Sequence, residues 1–456
     1  MSRVAWTVLP VDDPAARTAR AARSGPAGRT GPPAAGGHDP LLHWTRLGDS
    51  VVLFAEGPDP VHRAAGPGAA VRDAGGLNLV IQVGRAFQRA HPEVSVLLDR
   101  GRHLVVDAAH LVVDAAGTHA GEGLDWVVRP LPRDEVVVDR PTPSARGADP
   151  ALGELLALLS QPSYEETLHV VTAPPTRHSL DPGFVIAAET AAAVLQALGY
   201  VVVREPIIVG AGHSENVVAD LAGTAEAPRG LVVVSAHLDS VNHADGPDAP
   251  APGADDNASG AAGLLELARA LVTRRWPHDL RLILFGGEEQ GLFGSKAHVA
   301  ALDEADRGRV RAVLNMDMIA RLNTPAPGVL LEGAEVSRTL VDELAAAAAT
   351  WTSLAVSTSL HPYASDHVPF IDAGIPAVLT IEGNDTANDD VHTARDTLAT
   401  LYPPLALEIL RMNLAVLATY LEADGGADGA VPARTAPTPP PTAISPAHPP
   451  ETTSPS

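Results

Sequence analysis

Between residues 237 and 392 the chain places metal-binding side chains at the edges of apolar runs, in the order His, Asp, Glu, Asp, His. The segments are LVVVSAHLDS with His237 and Asp239, GADDNASG with Asp255 and Asp256, RLILFGGEEQG with Glu288 and Glu289, AVLNMDMI with Asp317, and DVHTARDT with His392. Oxygen and imidazole donors in this order are what a hydrolytic centre with two zinc ions needs. His237 stands two residues before Asp239 on an extended segment, so their side chains share a face and Asp239 can accept the ring N–H that a metal leaves unused. In GADDNASG two carboxylates stand directly before a helix. Capping needs only one short polar side chain, whereas bridging two cations needs a carboxylate on a fixed backbone. Glu288 and Glu289 point apart on a turning backbone, so one can ligate a metal while the other faces a metal-bound water as general base. Asp317 lies within an apolar run, where a lone carboxylate is costly unless paired or metal-bound. Taken singly, the two histidines read as surface residues and the Glu pair as a solvated strand end; the five segments together do not.

The elements that must position these groups are legible from periodicity. The runs before His237, Glu288 and Asp317 are continuous Val/Ile/Leu stretches of strand length, the pattern of strands buried on both faces of a parallel sheet. Ligands at the carboxyl ends of such strands converge on one crevice. From about Asp149, helices at 151–159, 185–198, 259–271, 336–349 and 404–421 alternate with strands at 201–209, 216–221, 231–235, 280–285, 312–316 and 377–380. This predicts an α/β fold with a mainly parallel central sheet flanked by helices, spanning 147–423. Residues 41–146 carry short β-branched runs at 50–54, 77–83, 94–98, 104–106, 125–128 and 135–138, a small strand-rich accessory domain that ends in the linker RPTPSARGADP. It contains the tandem repeat HLVVDAA at 103–109 and 110–116. An odd period sends equivalent side chains to opposite faces of a straight strand, so a turn between the copies or a bulge is expected. Residues 1–40 and the Pro/Thr/Ser-rich 424–456 read as disordered tails.

Composition narrows the partners. With 55 Asp and Glu against 32 Lys and Arg, the net charge of -23 repels phosphate backbones and anionic lipid, so neither nucleic acid nor a membrane surface is expected. The absence of cysteine excludes disulfides, thiolate ligands and a cysteine nucleophile. No signal peptide is recognised at the N-terminus, and no stretch reads as a membrane span of roughly 20 apolar residues. A cytoplasmic location is the default expectation, secretion the alternative.

The five segments, with TRHSLDPGFVIAAE, SENVVADLAG, YASDHVPF and AGIPAV, resemble metallopeptidase family twenty-eight, the co-catalytic zinc aminopeptidases of the bacterial leucine aminopeptidase type. The resemblance covers about 150–423 and implies the phosphorylase/hydrolase-like fold of zinc exopeptidases. It implies two Zn²⁺ ions, one bound by His237 and Asp317, the other by Glu289 and His392, with Asp256 rather than Asp255 as the bridge. Glu288 takes the role of general base and acid, Asp239 supports His237, and the peptide bond from Asp256 to Asn257 is expected to be cis. Family members often carry an aromatic residue beside the last histidine; here Val391 stands there, which leaves Tyr363 as the candidate phenol, with Asp366 and His367 as candidate pocket residues or structural groups. The implied reaction is hydrolysis of the N-terminal bond of peptides with a free amino terminus. A glutaminyl cyclase-like enzyme, another zinc exopeptidase or a non-catalytic binding protein on the same fold are the alternatives. Acidic groups without an Arg cluster favour an α-amine over a carboxylate, and the low aromatic content of 4% favours aliphatic first residues such as leucine.

Overall fold

The computed structural model describes residues 3–23, 39–108, 111, 119–120 and 125–422. In chain order the N-terminal part contributes β1 (Val4–Pro10), β2 (His43–Leu47), β3 (Ser50–Glu56), β4 (Arg72–Ala74), β5 (Leu77–Gln82), β6 (Ser95–Arg100), β7 (His103–Asp107), β8 (His119–Ala120), β9 (Trp126–Pro130) and β10 (Glu135–Val138). The remainder contributes β11 (Val201–Val209), β12 (Gly212–Leu221), β13 (Leu231–His237), β14 (Asp279–Phe285), β15 (Val310–Met316), β16 (Gly328–Glu332), β17 (Ala355–Ser359) and β18 (Ala377–Glu382).

The large sheet runs β11-β12-β14-β13-β15-β18-β16-β17. Its centre, β14-β13-β15-β18, is parallel, while β11 to β12, β12 to β14 and β16 to β18 are antiparallel. Every residue of β13 is buried, as expected of a strand covered on both faces. The helix Gly260–Leu271 that follows β13 packs into the main core with Pro182–Leu198 and Pro403–Glu422, whereas Val299 and Leu302, in and just after helix Phe293–Ala301, pack on the opposite side with Val233, Ile283 and Phe370. The chain therefore steps from β13 to β14 across one face and back past β13 to β15 across the other. That reversal opens a crevice at the carboxyl end of β13, where His237 stands. Helix starts follow their local chemistry: Asp149, Ser160 and Asp181 each accept a backbone N–H of the first turn, with proline at one of the first two positions.

Two expectations are corrected. Residues 4–10 and 14–23, placed in a disordered segment on their Ala/Arg-rich composition, form β1, paired with β3 and β4, and the helix Pro14–Arg23. Ala16 and Ala19 of that helix are buried with Ala5, Trp44, Leu53 and Val61. Alanine favours helix, and the small apolar face it forms opposite the arginines was overlooked beside the Gly/Pro-rich stretch that follows; residues 24–38 lie outside the described residues. Helix Pro403–Glu422 is 20 residues long and apolar enough to cross a membrane by length and composition, yet 72% of its most apolar window is buried inside the fold. Its apolarity serves the core. The first copy of the tandem repeat forms β7, and the second lies outside the described residues except for Leu111, as does the tail 424–456.

The N-terminal part builds two five-stranded sheets, β10-β2-β3-β1-β4 and β6-β7-β5-β9-β8. It is tied to the large sheet by reciprocal backbone bonds between Asp139 and Thr358 of 2.8 and 2.9 Å and by Arg102. The Arg102 guanidinium, 3% exposed, donates to both carboxylate oxygens of Glu332 at 3.0 and 3.3 Å, to Asp385 at 3.3 Å and to the Tyr363 carbonyl at 2.7 Å. Burial disfavours charge on Glu332, but Arg102 outweighs it and holds the carboxyl well below the usual range. A folded-state pKa below the unfolded one means that this contribution is complete at neutral pH and is lost as pH falls through the lowered value. Arg102→Ala leaves Glu332 and Asp385 buried without their cation and is expected to cost about 3–5 kcal/mol. Urea denaturation at neutral pH measures this, and a loss within experimental error would contradict the lock.

Candidate active site

At the crevice mouth five chain segments meet. His237 is the last residue of β13, Asp317 follows β15, Glu288 and Glu289 follow β14 through Gly286 and Gly287, Asp256 lies in the turn before helix Gly260–Leu271, and His392 comes from the loop after β18. The His237 Nε2 lies 3.2 Å from Asp256 Oδ1 and 3.2 Å from Asp317 Oδ1. The His392 Nε2 lies 3.0 Å from Asp256 Oδ2 and 3.0 Å from Glu289 Oε2. Asp256 thus presents one oxygen to each of two imidazole–carboxylate pairs. Asp255 does not face this cluster: its Oδ1 accepts from Ala320 N and its Oδ2 from Asn388. The Asp256–Asn257 peptide is cis. The Asn257 side chain donates to the Met316 carbonyl at 2.9 Å and accepts from Gly260 N at 2.8 Å, which ties this turn to the end of β15.

The carboxylates are held from behind. Asp239 was expected to orient His237, and its carboxylate lies 3.6 Å from the ring Nδ1, but its backbone carbonyl is nearer at 3.2 Å. The carboxylate oxygens also accept the backbone N–H groups of Glu288 at 3.3 Å and Glu289 at 3.2 Å, fixing the turn from which those side chains diverge. Asp317 Oδ2 accepts from Ser365 Oγ at 2.8 Å, and Ser365 Oγ accepts from Asn315, whose Oδ1 takes the Ser235 hydroxyl hydrogen bond, a chain that crosses from β13 to β15. Two holders escaped the sequence reading although their segments were quoted. Asp396 accepts the backbone N–H groups of Asp255 and Asp256 at about 3.0 Å. Arg177, wholly buried, donates to the carbonyls of Leu238, Pro252 and Gly253 and so joins the loops beside His237 and Asp256. Roles exerted on backbone atoms leave no residue-type pattern in a sequence.

Tyr363, Asp366 and His367 are brought near but not into the mouth. Asp366 and His367 are fully buried behind it, and Tyr363 packs in the core cluster of the N-terminal part. The mouth itself is a narrow cleft lined by His237, Asp256, Glu288, Glu289, Asp317 and His392 together with Met318, Ala364, Ile381 and, from the N-terminal part, Val83, Arg102 and Asp125. A wider groove along Arg100, His103 and Asn384 includes none of the expected ligands.

The electrostatics fit cations. Burial, reinforced by Asp366, Asp317 and Glu289, raises the Glu288 carboxyl well above its ordinary value. Burial and Asp256 raise Glu289 to about 7. Burial opposes charging His237, but Asp317 and Glu288 outweigh it and raise its pKa well above the ordinary value. Negative charge crowded out of water is relieved when a dication takes the place of protons. The Glu289 Oε1, buried and without a hydrogen-bond partner among the described residues, is a free donor for such an ion. Imidazole and carboxylate donors without thiolate suit zinc.

Residues 216–417 match the model of peptidase family M28. Aminopeptidase YwaD of Bacillus subtilis is 33% identical over 172 residues, 37% of this chain and 36% of that protein. A probable zinc metalloprotease of Leptosphaeria maculans is 30% identical over 251 residues, 46% of this chain and 58% of its own. The chain thus spans well under two thirds of the length of these curated relatives. Among solved structures, the LapA aminopeptidase of Legionella pneumophila superimposes with a TM-score of 0.54 over 76% of this chain and 98% of its own at 18% identity, a likeness of fold.

Removing the Asp239 carboxylate frees the backbone on which Glu288 and Glu289 stand. Asp239→Ala is therefore expected to weaken metal binding by roughly 10- to 100-fold, the usual effect of losing a group that orients a ligand. Titration against a chelator of known affinity measures it; wild-type affinity would contradict the assigned role.

Proposed function

We propose that the protein is a zinc aminopeptidase that hydrolyses the N-terminal bond of peptides with a free amino terminus. The observation that carries this reading is Asp256, whose two oxygens face His237 and His392 at 3.2 and 3.0 Å. In this reading His237 and Asp317 would hold one zinc ion and Glu289 and His392 the other, with Asp256 available to both. When bound, such a pair polarises the scissile carbonyl and lowers the pKa of a water. Glu288 lines the cavity beside these ligands without pairing to either imidazole nitrogen, so its carboxylate is available to take the proton of the attacking water and pass it to the departing amine. The turn held by Asp239 keeps Glu288 and Glu289 divergent, which separates proton transfer from metal binding. Val83, Met318, Ala364 and Ile381 supply an aliphatic wall suited to a first residue such as leucine. The family match and the names of the relatives support the same class of activity.

Two comparisons test this. Leucine anilide is expected to be hydrolysed and its N-acetylated form not; equal hydrolysis of both would overturn the aminopeptidase reading while leaving a zinc hydrolase. Glu288→Gln is expected to keep near-normal zinc content while activity falls roughly 10²- to 10⁴-fold, whereas Glu289→Gln should lose metal first. The opposite pattern would exchange the two roles.

A further inference from the structure

The N-terminal part, for which the sequence offered no role, reaches into the cavity with two charged groups, Arg102 and Asp125. Their situations differ. Arg102 is spent: its guanidinium nitrogens donate to Glu332, Asp385 and the Tyr363 carbonyl. It cannot also receive a substrate carboxylate without abandoning a buried acid.

Asp125 is not spent. Its backbone is fixed by the bond from Val83 N to its carbonyl at 2.8 Å. Its side chain is 23% exposed, and among the described residues no Lys or Arg lies within ion-pair distance of it. The nearest polar partners are the Nδ1 atoms of His243 and His392, each at 3.7 Å, beyond ordinary hydrogen-bond reach. His392 has other contacts that hold its place. The His243 N–H donates to the His392 carbonyl at 3.0 Å, and the two rings lie edge to face with centroids 4.5 Å apart.

In the two-zinc reading every other carboxylate lining the cavity is committed: Asp256, Glu289 and Asp317 to metal, Glu288 to proton transfer. We propose that Asp125 is a specificity-determining residue, the carboxylate that receives the α-ammonium group of the substrate, so that the N-terminal part completes the active site. This rests on the aminopeptidase reading for the identity of the substrate. It gives that reading its polarity: a cationic end has an available anion to meet, and an anionic end finds Arg102, the one Lys or Arg lining the cavity among the described residues, already paired.

The test uses the zinc-loaded full chain and a probe without a scissile bond. Calorimetry compares isoamylamine with isoamyl alcohol, and metal content is measured alongside. The wild type is expected to prefer the amine. Asp125→Asn should weaken amine binding by roughly 10- to 100-fold, the scale of a hydrogen bond to a charged group, with zinc content and alcohol binding unchanged, and Asp125→Glu should restore part of the loss. For leucine anilide the same factor should appear in KM rather than kcat. Unaltered amine binding in Asp125→Asn would overturn the proposal, as would loss of zinc, which would make Asp125 a support of His392 instead. Amine selection that depends on Asp125 in a protein that cleaves no free-amine peptide would uphold the anchor and remove the aminopeptidase reading; cleavage indifferent to Asp125→Asn would do the reverse.

Discussion

Asp256, Glu288, Glu289 and Asp317 crowd around two imidazoles in a crevice that water barely enters, and much of the surrounding structure follows from that crowding. Buried carboxylates are tolerated only where cations or several hydrogen bonds offset their lost hydration. Asp239 and Asp396 turn outward to accept backbone N–H groups, and Asp255 accepts from Ala320 and Asn388. The four that line the mouth with the imidazoles have instead a geometry open to shared cations, with Asp256 common to both halves.

Placing such groups needs a rigid frame, and the parallel centre of the sheet supplies it. β13 and its neighbours β14 and β15 run side by side to the crevice, with the candidate ligand His237 as the last residue of β13 and Glu288, Glu289 and Asp317 shortly beyond the ends of β14 and β15. The loops between are not left to find their own conformations. Arg177 gathers three carbonyls, Asn257 ties the Asp256 turn to β15, and the Ser235–Asn315–Ser365 chain carries the fixity of two strands to Asp317. Arg102 extends the frame to the N-terminal part, which thereby becomes a wall of the cavity.

Those features that write themselves into residue type were legible in the sequence. The Val/Ile/Leu runs of β13, β14 and β15 announced buried strands, and the five candidate ligand segments stood out as a set, three of them at the ends of those runs and two in polar loops. Choosing Asp256 over Asp255, or Glu289 over Glu288, was beyond spacing alone and rested on resemblance, since adjacent residues differ only in the direction a backbone gives them. Strands β16 and β17 went unread because GVLLE and AVSTS are short and the first follows a Pro-rich loop. The helix Pro14–Arg23 was missed because its Ala/Arg-rich composition reads as a disordered segment, although alanines and arginines separate onto opposite faces at helical spacing. Asp125 and His243 lie far apart in sequence and meet only through packing of the N-terminal part on the loop of His392.

The central claim is a single centre in which Asp256 joins two metal sites. Anomalous diffraction from crystals of the zinc-loaded protein at the zinc edge tests it directly. The account predicts two peaks roughly 3.5–4 Å apart, one beside His237 and Asp317, the other beside Glu289 and His392, with an Asp256 oxygen on each. A single peak at full zinc loading, or a pair not bridged by Asp256, would contradict it.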